Sequence, residues 1–200
     1  MPPVMVDPDK VREFVDFRSF YDWLQRHHRS GDEVWIKLHK RGSGLASITA
    51  KEAIDAALCW GWIDGIRKGL DERSFLQRYT PRRAKSIWSQ VNVDNVARLE
   101  EAGLMTEHGR APVLAAQADG RWQRAYGAGA TLETPPALLE AIAADPAALA
   151  TYAKLNAQNR YALAFRLHNL KTEIGRQKRI RSFVEMLARG EAPYPQSGLP

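Results

Sequence analysis

The chain has 200 residues and a formal net charge of +6, and 44% of its residues are hydrophobic. This balance excludes an intrinsically disordered chain and fits one globular domain, or one domain with a small helical extension. The single cysteine, Cys59, excludes an internal disulfide bond, and no apolar run approaches the roughly 20 residues of a membrane-spanning helix.

The first part of the chain predicts a helix, a strand and a second helix. Apolar residues recur at steps of three and four over residues 12–28, which predicts an amphipathic helix. Residues 33–40 alternate in polarity and predict a strand. Thr49 then begins a helix, because Glu52 three residues later completes a capping box. We expect this helix to end near Gly61.

Two further strands follow. Residues 62–68 and 74–80 are joined by a polar turn and predict an antiparallel hairpin. Pro81 ends the second of these strands, because proline has no N–H group to donate to a β-ladder. Together with the strand at residues 33–40, the hairpin predicts a small three-stranded sheet.

The remaining elements are predicted to be helices. One spans residues 86–101, and a shorter one spans residues 106–118. Residues 119–134 contain three glycines and few core candidates, which predicts a linker. Further helices are expected over residues 135–144, after Asp145, over residues 156–170 and over residues 172–188, and residues 191–200 are expected to be disordered.

The predicted fold class is therefore α+β: a small three-stranded antiparallel sheet packed with helices, followed by a C-terminal helical bundle. We expect an α+β domain at residues 10–118, a linker at residues 119–134 and a helical C-terminal region at residues 135–190. The two parts could also form one compact unit.

Four stretches carry distinctive motifs. They are EVWIK with GSG at residues 33–44, EAIDAALCWGWIDG at residues 52–65, YTPRRAKSIWSQVN at residues 79–92, and KTE, Arg176, Arg179 and LARG at residues 171–190. Their order and spacing resemble the YdeI/OmpD-associated, or bacteriocin-protection, family over most of residues 12–190. The resemblance implies stress resistance and a link to an outer-membrane porin, and it implies no particular reaction.

The most coherent candidate site lies in residues 64–90, where seven residues are basic and three are acidic. Arg78, Arg82 and Arg83 precede the predicted helix start at Ser86. A helix N-terminus offers free N–H groups and partial positive charge, and a guanidinium can bind a carboxylate or phosphate through two hydrogen bonds. The pattern predicts an anion site; the alternative is a solvated basic turn in which Ser86 is an ordinary N-cap.

Aromatic and polar residues border this candidate site. Trp60, Trp62 and Trp88 could form a wall for a planar ligand or stack on bases, although such tryptophans more often belong to a core. We expect two of the three to be core residues. Ser89 could donate to the anion, and Asn92, one helical turn after Trp88, could project to the same rim.

Asp64 has three interpretations. It could pair with Arg78, Arg82 or Arg83 across the hairpin, which is the structural interpretation. It could also contribute to the ligand site. In an enzyme, Asp64 would act as the acid or base while the arginines stabilise negative charge.

A second basic block spans residues 154–189, with nine basic and two acidic residues. Together with residues 67–85 it could bind nucleic acid, and its last helix could lie on an anionic membrane. The simpler interpretation is an apolar stripe packed into a bundle, with the charges solvated.

The five histidines show no metal-ligand spacing, and no HExxH, CxxC, P-loop or GxGxxG motif occurs. We therefore expect neither a metal nor a cofactor. The N-terminus lacks the pattern of a secretory signal, so we expect a cytoplasmic location. The sequence predicts a stress-resistance protein that binds a small anionic ligand, with a nucleic-acid-binding protein or an enzyme as alternatives; the oligomeric state stays open.

Overall fold

A computed structural model describes residues 5–127, 132–170 and 172–199. The chain divides into two compact units, Met1–Ala125 and Tyr126–Pro200. This division falls inside the segment predicted to be a linker, of which residues 128–131 lie outside the described residues.

The α+β class is confirmed by the elements of the described residues. The first unit contains β1 (Val11–Arg12), α1 (Phe17–His27), β2 (Val34–His39), α2 (Ala50–Cys59), β3 (Trp62–Gly69), β4 (Ser74–Pro81), α3 (Gln90–Glu101) and α4 (Glu107–Ala118). The second unit contains α5 (Pro136–Ala143), α6 (Pro146–Lys154), α7 (Ala157–His168) and α8 (Glu173–Ala188). Among these, no helix is long and apolar enough to cross a lipid bilayer.

The sheet differs from the prediction by one strand. Its four strands lie in the order β1-β2-β4-β3, and the predicted antiparallel pairs β2–β4 and β3–β4 are both present. The extra strand, β1, pairs in parallel with β2. The prediction of a three-stranded, purely antiparallel sheet is therefore wrong at this edge, because two residues are too few to show an alternating pattern.

The predicted helix at residues 12–28 is wrong before Phe17. Asp16 is the N-cap of α1: its carboxylate accepts from the Ser19 N–H at 2.8 Å, and the Asp16 N–H donates to the Ser19 hydroxyl at 3.3 Å. This capping box fixes the start of the helix. Arg12, the first residue of the predicted helix, instead pairs with Ile36 in the sheet.

The second helix begins as predicted. Thr49 caps α2, with its hydroxyl accepting from the Glu52 N–H at 3.2 Å and the Glu52 carboxylate accepting from the Thr49 N–H at 2.9 Å. Three small residues of α2 are completely buried, and they let the helix approach its neighbours closely: Ala53, Ala56 and Ala57.

The core of the first unit lies between the sheet and its helices. Val34, Ile36 and Leu38 of β2 belong to the same buried cluster as Phe20 and Leu24 of α1. Alternation along the strand explains this face, because residues two apart point the same way.

The start of α4 packs tightly against the end of α2. The Thr106 hydroxyl donates to the carbonyl oxygen of Cys59 at 2.6 Å. A Cβ atom at Gly109 would overlap the carbonyl of Cys59 and lie 2.7 Å from the Leu58 oxygen. Only glycine fits at this crossing of the two helices.

The second unit is helical as predicted. Asp145, Asn156 and Thr172 are the N-caps of α6, α7 and α8, each accepting a hydrogen bond from a backbone N–H group of the first turn. Its buried cluster includes Leu138, Ile142, Leu163, Leu167, Ile180, Phe183 and Leu187.

The predicted disorder at residues 191–200 is wrong for the part around Tyr194. Asn159 of α7 is completely buried, and its side-chain amide donates to the Tyr194 carbonyl at 3.1 Å and to the Gln196 side-chain oxygen at 2.7 Å. The Tyr194 N–H in turn donates to the Asn159 oxygen at 2.8 Å. These contacts hold the tail against the helical unit.

Candidate functional site

The β3–β4 hairpin sorts the predicted site residues onto two sides of the sheet. Directly paired residues of a ladder point to the same side, and neighbours along a strand point to opposite sides. Asp64 pairs with Tyr79, whose ring contacts Phe20 of α1 at 5.5 Å between centroids, so this is the helix side. Arg78 points to the other side. The ion pair between Asp64 and Arg78 that the sequence suggested does not form.

The side that carries Arg78 contains a cleft of about 230 Å³ where the hairpin ends at Pro81. Its lining combines one acidic, two basic, two hydroxyl-bearing and two apolar residues, namely Asp32, Arg78, Arg83, Thr80, Ser86, Ile63 and Pro81. Three of the predicted site residues, Arg78, Arg83 and Ser86, are therefore brought together.

Arg78 is held by an acidic residue that the sequence did not single out. Its Nε and Nη2 atoms both lie 2.5 Å from one carboxylate oxygen of Glu33. The Glu33 side chain is only 17% exposed, so water screens this ion pair less than it screens a surface pair. The charge of Arg78 is therefore balanced inside the protein.

A second ion pair stands beside the first. The ammonium of Lys10 lies 2.9 Å from the carboxylate of Asp32 and 3.5 Å from that of Glu33. The hydrogen bond between Lys10 and Asp32 raises the pKa of the lysine and lowers the pKa of the aspartate. Both groups are thus charged over the whole neutral range.

Arg83 differs from Arg78, because it is exposed at the rim of the cleft. No acidic side chain of the described residues lies within ion-pair distance of its guanidinium. Arg83 is therefore the cation of the cleft lining whose charge the described residues leave unbalanced.

Ser86 belongs to a turn and not to a helix start, so the predicted start of α3 is wrong. Its N–H donates to the carbonyl of Arg83 at 2.9 Å, which closes the turn. Its own carbonyl accepts from Nη1 of Arg121 at 2.7 Å, and Arg121 is in turn paired with Asp119 at 2.7 Å. The cleft is thus built from a turn whose conformation is held by Arg121, a largely buried side chain.

The helix begins four residues later, because Ser89 supplies the cap. The Ser89 hydroxyl accepts from the Asn92 N–H at 3.2 Å, and α3 starts at Gln90. Ser89 and Asn92 are predicted site residues, but neither belongs to the cleft lining. An anion in the cleft would be bound by side chains of the turn and not by the N-terminus of α3.

Arg82 and Trp88 lie together outside the cleft lining. The guanidinium carbon of Arg82 is 3.6 Å from the ring centroid of Trp88, and its Nη1 donates to the Ile87 carbonyl at 2.9 Å. Trp88 is 2% exposed and packs edge-on against Trp122. All three tryptophans that the sequence singled out are core residues, since Trp60 and Trp62 belong to the same cluster.

Asp64 lies in a separate environment. Burial raises the pKa of its carboxyl, although a hydrogen bond from its own N–H and the charges of Arg82 and Arg67 act in the opposite direction. Burial and the nearby charge of Asp64 also raise the pKa of Tyr79. An acid or base at Asp64 would act on the other side of the sheet from Arg78 and Arg83.

Sequence reasoning missed Asp32 and Thr80 in the cleft lining, and it missed Glu33, which holds Arg78. Glu33 and Arg78 are 45 positions apart, and no spacing rule connects them. The register of β2 on β4, in which Trp35 pairs with Arg78, would have placed Glu33 beside Arg78. The pairing register of β2 on β4 is therefore the information that was needed to predict this contact.

Cys59 carries no reactive thiol. Burial, together with the negative charge of Asp55, raises the pKa of Cys59 to about 12, so the thiolate that reacts or binds metals is not populated at neutral pH. In the described parts of the chain, no three His, Cys, Asp or Glu side chains are grouped closely enough to hold a metal ion.

Comparison with known families gives one match in each unit. Residues 12–112 match a family described as a domain of unknown function, DUF8412. Residues 131–190 match the family described as "Bacteriocin-protection, YdeI or OmpD-Associated", which confirms that resemblance for the helical part of the chain. The motifs at residues 33–92 fall within the first match. No curated protein and no solved structure matches the chain.

Proposed function

We propose that this chain, which belongs to the DUF8412 family and carries a YdeI/OmpD-associated region at residues 131–190, binds a small anion in the cleft of its first unit. One observation carries the proposal: Arg83 lines the cleft without an acidic partner in the described residues, whereas Arg78 is already paired with Glu33.

The surroundings of Arg83 favour an anion over a cation or a neutral ligand. A guanidinium forms charge-assisted hydrogen bonds that are roughly twice as strong as neutral ones. Thr80 and Ser86 bring hydroxyl groups to the same cleft, and hydroxyls can donate to an anion. Lys85, two residues after Arg83, adds positive charge to the turn without lining the cleft.

The proposal is tested by thermal unfolding with acetate, phosphate and sulfate, each at constant ionic strength with chloride as the reference anion. A ligand at ten times its Kd stabilises the folded state by about 1.4 kcal/mol, which corresponds to a rise in Tm of several degrees for a domain of this size. We expect at least one of these anions to give such a rise.

The matched variants are Arg83→Gln and Lys85→Gln, which remove one positive charge each from the same turn. Arg83→Gln should abolish the anion-dependent rise in Tm, and Lys85→Gln should retain it. If no anion raises the Tm of the wild-type protein, or if both variants respond alike, the cleft is not an anion site.

The description of the second family supplies a biological context for this site. We propose that anion binding serves a stress-resistance role of the kind that "bacteriocin protection" names. A strain that lacks the protein should be more sensitive to a bacteriocin, and expression of wild-type protein but not of Arg83→Gln should restore resistance. If both proteins restore resistance equally, the resistance role does not depend on anion binding in the cleft.

Nucleic-acid binding is a second candidate, supported by one face of α8. Lys178, Arg179 and Arg181 are exposed, and in the described residues none of them has an acidic side chain within ion-pair distance. A polyanion would release counterions there, so binding of a labelled duplex should weaken log-linearly with salt. The low-salt measurement uses about 20 mM NaCl, roughly a tenth of physiological ionic strength. Absence of binding at this salt concentration would rule the candidate out. An unchanged affinity in the double variant Lys178→Glu/Arg181→Glu would rule it out as well.

A further inference from the structure

We propose that the cleft selects a small monocarboxylate with a short apolar body over divalent anions. This inference rests on the anion binding proposed above and assigns the class of ligand to that site.

The charge balance of the cleft supports selection of a single negative charge. Each carboxylate near the cleft has a cation: Glu33 holds Arg78 at 2.5 Å, and Asp32 holds Lys10 at 2.9 Å. Of the two cations in the lining, only Arg83 is left without an acidic partner among the described residues. One ligand charge therefore neutralises the site.

A second ligand charge meets opposition. It would have to lie near the carboxylate of Asp32, which lines the cleft, or compete with Glu33 for Arg78. The Glu33 side chain is 17% exposed, and like charges repel more strongly where water is partly excluded. The same geometry therefore disfavours sulfate, the phosphate dianion and dicarboxylates.

The lining also has a place for the apolar part of a carboxylate. Besides the hydroxyl-bearing Thr80 and Ser86, it includes two apolar residues, Ile63 and Pro81. A volume of about 230 Å³ is smaller than the roughly 300–1,000 Å³ of pockets that hold drug-sized ligands. Such a cleft accommodates a short-chain acid such as propionate or butyrate, whose methylene groups would contact Ile63 and Pro81.

The experiment is a calorimetric titration of the full chain with acetate, propionate, butyrate, malonate and sulfate at pH 7 and constant ionic strength. We expect affinity to rise from acetate to butyrate and propionate to bind at least tenfold more tightly than malonate or sulfate. Arg83→Gln should lose binding of every anion, and Lys85→Gln should preserve both the affinities and their order.

Glu33→Gln tests the charge balance directly. Loss of the Glu33 charge frees the guanidinium of Arg78, so the variant should bind malonate and sulfate more tightly and the preference for propionate should fall at least threefold. The order of affinities in the wild-type protein remains a test on its own if Glu33→Gln does not fold.

Failure of the inference is distinct from failure of the proposed function. If the wild-type protein binds malonate or sulfate as tightly as propionate and Arg83→Gln abolishes this binding, the cleft is an anion site without preference for monocarboxylates, and the inference is overturned. If no anion binds, or if Arg83→Gln leaves binding unchanged, the proposed function and this inference fail together.

Discussion

Asp64 and Tyr79 face each other across the β3–β4 ladder on the helix side of the sheet, and they are not hydrogen bonded to each other. Tyr79 is completely buried, and its hydroxyl has no hydrogen-bond partner among the described residues. A buried polar group without a partner loses its hydration and regains nothing. The Tyr79 hydroxyl therefore costs stability where the sheet meets its helices.

Replacement of Tyr79 by phenylalanine should not destabilise the protein. Removal of the hydroxyl removes a desolvation penalty of about 1–3 kcal/mol, so we expect an unchanged or higher free energy of unfolding in urea. Tyr21→Phe is the matched control, because the Tyr21 hydroxyl donates to the Leu104 carbonyl at 3.0 Å; it should lose about 1 kcal/mol. Equal losses in the two variants would mean that Tyr79 has a partner.

Asp64→Asn should stabilise the protein at neutral pH. Because burial raises the pKa of Asp64 above its unfolded value of 3.8, the folded state binds the proton more tightly than the unfolded state. The contribution of Asp64 to stability is therefore most favourable below this unfolded value and is lost as the pH rises through the folded pKa. The variant lacks this decline, so its advantage in unfolding free energy should be larger at pH 7 than at pH 4.

Asp71→Asn is the control, for which we expect the opposite change in unfolding free energy. The pKa of Asp71 is lowered by hydrogen bonds from the Ser74 hydroxyl and the Arg73 N–H. Its ionised form stabilises the folded state above the unfolded pKa, and this contribution disappears as the pH falls through the folded pKa. Asp71→Asn should therefore be less stable than wild type at pH 7. A loss of stability in both variants at pH 7 would contradict a raised pKa of Asp64.

Gly109→Ala should destabilise the first unit strongly. The added Cβ would overlap backbone carbonyls at the end of α2, including the Leu58 oxygen at 2.7 Å, and backbone cannot rotate away as a side chain can. We expect a loss near the upper end of the about 1–3 kcal/mol that overpacking costs, measured by urea unfolding. Gly69→Ala is the control, since its Cβ would meet nothing within 4 Å. If the Gly109→Ala variant is as stable as the wild-type protein, α4 can move away from α2.

Asn159→Ala should release the C-terminal tail. The variant loses the bonds to the Tyr194 backbone and the Gln196 side chain, and we expect a loss of about 2–3 kcal/mol because the tail is left with unsatisfied groups. Hydrogen exchange at the Tyr194 amide should accelerate. Gln177→Ala, which removes an exposed bond to Glu173 at 2.8 Å, should change stability by less than about 0.5 kcal/mol.

Helix starts were largely predictable because their signals are local. Thr49 with Glu52 defines the start of α2 within four residues of sequence. The two errors concern helices whose true N-cap lies after the predicted start. The N-cap of α1 is Asp16, although the helix was predicted to start at residue 12, and the N-cap of α3 is Ser89, although the helix was predicted to start at Ser86. Each correct cap is also visible in the sequence, but the apolar periodicity extended past it.

The α+β class, the β3–β4 hairpin, the basic turn around Arg83 and the absence of a disulfide follow from local sequence patterns, since alternation, capping and residue type act over a few neighbouring positions. Which charged side chains pair with each other depends on the three-dimensional arrangement of the strands. The register of β2 on β4 brought Glu33 to Arg78 and left Asp64 on the other side of the sheet. A shift of one residue along a strand exchanges its two faces, so the composition of a site on a sheet depends on long-range pairing that no local pattern contains.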